Sequence, residues 1–131
     1  MPALPWTQPN TPEPGTEAVV MASRLEVRSL LQVPGFFLAS MAVWRQARRS
    51  PGAYGLSLKA DLLSRTFWTV SVWHDKAAIH AYAAAEPHRS TMRRKRAVMK
   101  ESTFIFWNAA ADGKPIGWDE VERRIAEERT R

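Results

Sequence analysis

The chain has 131 residues, 45% hydrophobic and 24% charged, a balance that supports one globular core. It contains no cysteine, which excludes disulfides, thiolate metal sites and thiol nucleophiles. Its three histidines (His74, His80 and His88) form no pair at metal-ligand spacing, and its net charge of +6 gathers at Arg45, Arg48 and Arg49 and again between His88 and Lys100.

Residues 1–16 are rich in proline and lack periodicity, so they are expected to form a disordered arm ahead of a single domain spanning 17–131. Trp6 is the one residue there expected to dock. Ala18 to Arg28 alternates and is β-branched, as a strand requires, with Val19, Met21, Ser23, Leu25 and Val27 on one face and Val20, Ala22, Arg24 and Glu26 on the other. Pro34 opens a helix whose stripe runs through Phe36, Phe37, Ser40, Met41, Val43, Trp44 and Ala47. Arginines close that helix in favour of its dipole. Ser50-Pro51-Gly52 reads as a turn. Strands are predicted over Tyr54 to Ala60 and Thr66 to Trp73, joined by a hairpin-length link. Asp75 caps a second helix that carries Ile79, Tyr82 and Ala83 inward and stops at Glu86-Pro87. A basic helical segment follows from Pro87 to about Lys100. Thr103 to Trp107 is a fourth strand, and Trp118, Val121 and Ile125 mark a C-terminal helix.

The resulting order, β-α-β-β-α-β with a terminal helix, predicts an α+β ferredoxin-like fold: an antiparallel sheet with helices on one face. Because Phe67 and Trp68, Val70 and Val72, and Phe104, Ile105 and Phe106 place apolar groups on both faces, a second copy is expected as the cover, giving a homodimer. No apolar run approaches the roughly 20 residues that cross a bilayer, and the first residues do not read as a signal peptide. A cytoplasmic protein without a membrane partner is expected.

FWTVSVWHDKAAIHAYAAAEPHRSTM, together with SRLEVR in the first strand and STFIFW in the last, resembles the antibiotic biosynthesis monooxygenase superfamily over roughly Ala18 to Ile125. The resemblance implies a dimeric α/β barrel and an uncharacterised, monooxygenase-like branch. In the haem-degrading branch an asparagine, a tryptophan and a histidine surround the haem. Trp73 matches the tryptophan here, whereas Ser23 stands at the asparagine position and Met92 at that of the histidine. Met92 would therefore serve as a ligand only if haem binds, with His88 one turn before it as a substitute. In the cofactor-free, quinone-forming branch the deprotonated substrate supplies the electrons. The protein there provides an aromatic pocket, a hydrogen bond to the developing anion and a base.

On that resemblance Trp73, Ser23 and His88 are the candidate catalytic residues, and Trp44, Trp68, Tyr82 and Arg24 the candidate substrate-binding residues. The ligand would be a flat apolar or phenolic small molecule, with no flavin or metal. His88 at a helix start is expected to be held neutral enough to act as a base, while Arg24 reads better as half of an ion pair. The basic clusters read as solvated helix faces, with an anion site as the alternative. Nucleic-acid binding is disfavoured because RTFWTVSVW lacks the glycine and charge of an RNA-recognition strand. A non-redox ligand binder or cyclase of the same fold, and a haem-binding protein, are the alternatives to a monooxygenase-like enzyme.

Overall fold

The computed structural model describes residues 3–13, 15–112 and 114–130. Four strands, β1 (Glu17–Val27), β2 (Ala53–Asp61), β3 (Thr66–Trp73) and β4 (Met99–Ala110), form one antiparallel sheet in the order β2-β3-β1-β4. The helices are α1 (Val33–Arg48), α2 (Lys76–Ala84), α3 (His88–Lys95) and α4 (Trp118–Arg129), with single 3-10 turns at Leu30–Gln32 and Arg96–Val98. This is the ferredoxin-like arrangement expected from the alternation of periods along the chain.

Register decides which side chains share a face. Val19 pairs with Trp73, Met21 with Ser71, Ser23 with Thr69 and Leu25 with Phe67, and on the far side of β1 Ser23 pairs with Phe104. These residues point one way, toward α1, α2 and α3. Phe36 of α1 packs on Phe67 there, with ring centroids 4.8 Å apart, beside Leu25, Val27 and Ala60. At the other end of the same face Ala47, Leu56, Ile79 and Tyr82 surround Trp73. The intervening residues, Val20, Ala22, Val70 and Val72, point the other way.

That opposite face was expected to need a second copy. Instead α4 covers it: Val121 and Ile125, one helical turn apart, are fully buried against Val20, Ala22, Val70 and Val72. Lys59 of β2 also faces α4, where it is 6% exposed. A buried ammonium needs a partner, and Glu122 supplies one at 2.7 Å while the rings of Trp68 and Trp118 lie 5.3 and 5.0 Å away.

The N-terminal segment also departs from expectation. It is not a loose arm, because its backbone hydrogen-bonds to the free edge of β2. Leu4 N–H donates to the Leu58 carbonyl at 2.8 Å, and Thr7 and Leu56 exchange bonds of 3.0 and 2.9 Å. Asn10 then donates to the carbonyls of Ser50 and Ala53. An edge strand presents unpaired backbone groups, and these pairings satisfy several of them without any side-chain pattern. The fourth strand is longer than Thr103 to Trp107 for the same kind of reason: its polar start, Met99 to Ser102, pairs with Val27 to Leu25. Among the described residues no helix is long and apolar enough to cross a membrane.

Candidate functional site

Between the sheet and the three helices lies a cavity of about 100 Å³. β1 and β3 contribute Ser23, Thr69, Ser71 and Trp73 to its floor, and α1 brings Phe36, Val43 and Trp44 over it. Tyr82 of α2 and His88, Thr91, Met92 and Lys95 of α3 form the remaining wall. The α3 spacing of i, i+3, i+4 and i+7 is one helix face, and Glu86-Pro87 sets where that helix begins. Its first backbone N–H, that of His88, donates to Gln46 Oε1 of α1 at 2.7 Å. Gln46 Nε2 donates to the Tyr82 carbonyl at 2.8 Å, so one side chain joins all three helices.

Trp73 is fully buried, its indole N–H donating to Ser71 Oγ at 2.7 Å and its ring 5.0 Å from that of Tyr82. Tyr82 in turn stands 4.8 Å from the His88 ring. Burial raises the Tyr82 phenol well above its ordinary value, so it stays protonated. Burial also holds the His88 imidazole below the usual histidine range, although its bond to the Ala83 carbonyl works in the opposite sense. The neutral state expected for His88 is thus obtained from desolvation. With Nδ1–H donating to Ala83 O at 3.2 Å, Nε2 carries the lone pair.

Ser23 and Thr69 share one hydrogen bond between their hydroxyls. Two hydroxyls hold two protons, so one O–H of the pair is left to donate elsewhere. Trp44 Nε1 is buried and has no hydrogen-bond partner. A buried donor without an acceptor costs about 1–3 kcal/mol.

The structure therefore gathers Ser23, Trp44, Trp73, Tyr82, His88 and Met92 around one cavity. Two predicted binding residues stand elsewhere. Trp68 is five positions from Trp73 in the same strand and so faces α4, over Lys59 and Arg24. Arg24 neighbours Ser23 and also faces away, bridging Glu26 at 3.3 Å and Glu101 at 3.4 Å, the ion pair its position suggested. Lys95 and Thr91 were not singled out by sequence reading, since both lie in a run that reads as a solvated basic face.

The cavity is smaller than the roughly 150 Å³ that admits benzene to a dry apolar hole and than the roughly 300–1,000 Å³ of ordinary ligand sites. A single ring enters if it extends toward the rim, where Phe104 is 44% exposed and Lys95 half-buried. A porphyrin does not fit this space, which sets the Met92 and His88 pair against haem. Among the described residues no three His, Asp or Glu side chains cluster as metal ligands.

Solved structures share the architecture. SnoaB, a cofactor-independent oxygenase from Streptomyces nogalater, matches at 19% identity with a TM-score of 0.59, over 72% of this chain and 93% of that one. An antibiotic biosynthesis monooxygenase matches at 15% identity and a TM-score of 0.63, over 70% and 97%. A Lactobacillus acidophilus protein, provisionally named a monooxygenase, matches at 10% identity and a TM-score of 0.64, over 76% of this chain and 47% of that one. At these identities the likeness carries the fold, the ferredoxin-like architecture expected from the order of strands and helices. No curated protein matches the chain by sequence. Residues 28–130 match the family model described as a domain of unknown function, DUF3291, and the chain belongs to that family.

Proposed function

We propose that this protein is a monooxygenase-like enzyme that takes a flat apolar or phenolic molecule into the cavity beneath α1 and α3 and uses no flavin or metal. The observation that carries the reading is a wall of Trp44, Trp73 and Tyr82 with few polar handles, among them His88 and the Ser23–Thr69 hydroxyls. Its fold neighbours include a cofactor-independent oxygenase, which supports the same chemistry.

In this reading His88 Nε2 takes the phenolic proton and the spare hydroxyl proton of the Ser23–Thr69 pair stabilises the oxyanion. Trp73, fixed by Ser71, holds the ring. The substrate anion then reduces dioxygen. One oxygen atom enters the ring as a quinone oxygen and the other leaves as water, with all four electrons drawn from the substrate. Oxygen uptake on a panel of single-ring phenols tests this. His88→Ala should lower turnover about 10²–10⁴-fold with little change in binding. Binding without oxygen uptake would favour a non-redox binder or cyclase instead.

We also propose a homodimer, on grounds different from those the sequence suggested. The arm pairs with the β2 edge, but β4 is the other edge, 12 residues long, and Phe104 and Phe106 on it are 44% and 48% exposed. A long apolar edge is a surface that proteins cover, and the superfamily resemblance implies a dimeric α/β barrel.

A further inference from the structure

The cavity is electrostatically one-sided. Its wall includes the Lys95 ammonium and the His88 imidazole but no aspartate or glutamate among the described residues. Lys95 forms no ion pair among the described residues, although Arg24, Lys59, Arg65, Lys100, Arg123, Arg124 and Arg129 all do.

Its position is set by a small residue. A Cβ built on Gly35 would stand 3.3 Å from Lys95 Nζ, so the missing side chain leaves the room in which the ammonium lies. Gly35 is in the first turn of α1, the positive end of the helix dipole, and that turn holds no acidic residue. Two like-signed groups thus meet at the rim with no protein carboxylate to offset them. α1 and α3 reinforce the field, carrying Arg45, Arg48, Arg89, Arg93, Arg94 and Lys95 and no acidic residue between them. Among the described residues lining the cavity, Lys95 carries the one fixed charge, and it is positive.

We propose that the ligand of this cavity is an anion, a compact flat carboxylic acid. Its ring lies among Trp44, Trp73 and Tyr82, and its carboxylate meets Lys95 at the rim. The seven-residue step from His88 to Lys95 spans roughly 10 Å along α3, which places the ring between them. This assignment rests on the cavity being the ligand site, and it names the substrate class that site selects.

Benzoate and its neutral isostere benzamide, titrated at low salt into the full-length protein with ¹⁵N-labelled indoles, separate the two ideas. Benzoate should shift the Trp44 indole resonance, identified with Trp44→Phe, and bind at least about tenfold more tightly than benzamide. Lys95→Met, which keeps the apolar stem, should make the two affinities equal, and Lys95→Arg should retain the preference. Equal affinities for the parent, or a benzoate preference that survives Lys95→Met, would overturn the anion assignment and leave the cavity as a neutral-ligand site. If neither compound moves the Trp44 or Trp73 resonance, both readings fall.

Discussion

Gly55 lies directly beneath the indole of Trp6: a Cβ added to Gly55 would stand 2.2 Å from Trp6 Cζ2. A strand glycine often marks such a close approach. Here it lets the N-terminal segment pack an aromatic ring over β2, against Tyr54 and Val72. The ring and the backbone pairings of Leu4 and Thr7 act as one unit.

Removing residues 1–16 should therefore destabilise the fold by about 2–4 kcal/mol, the loss of one packed aromatic and several net hydrogen bonds. Gly55→Ala should cost a similar amount in the full-length protein, because it displaces Trp6, and much less in the truncated one. Urea denaturation of the four proteins measures this coupling. Additive losses would show that Trp6 does not rest on Gly55.

His88 gives a pH dependence whose sign is set by burial. Its folded pKa is lowered below the unfolded value, so between the two values the unfolded chain binds more protons. Its contribution is complete above the unfolded pKa of about 6.5 and is lost as pH falls through the window below it. Thermal melts from pH 8 to pH 5 should show the parent losing stability below about 6.5, and His88→Gln losing less. Parallel curves would mean that His88 is solvated.

The dimer is tested at β4. Phe104→Asp with Phe106→Asp should convert a dimer to a folded monomer in sedimentation equilibrium, since both rings are half exposed in the single chain. A parent that is monomeric at micromolar concentration would contradict the proposed pairing.

Much of this architecture was legible because strand and helix periods are carried by side chains. Val19 to Val27 and Thr66 to Trp73 alternate, and Val121 and Ile125 sit one turn apart. Parity also carried a warning about the site. Trp68 and Trp73 differ by an odd number, as do Ser23 and Arg24, so neither pair can share one sheet face. Which face a terminal helix covers is decided by tertiary packing, which no local period encodes. The arm's pairing with β2 is made by backbone atoms and leaves no pattern to read. Lys95 was hidden for a third reason: one inward-facing cation among the five basic residues from His88 to Lys95 looks like its solvated neighbours.

The central claim is that a flat ring binds under α1 and α3. Its most direct test is a transferred nuclear Overhauser measurement with 4-methylphenol on the full-length protein. The aromatic protons of the ligand should show contacts to the indoles of Trp44 and Trp73 and to the Met92 methyl group, and these should vanish on Trp44→Ala or Trp73→Ala in variants that keep the parent's circular dichroism. Contacts confined to Trp68, Trp107 or Trp118, on the α4 side of the sheet, would contradict it.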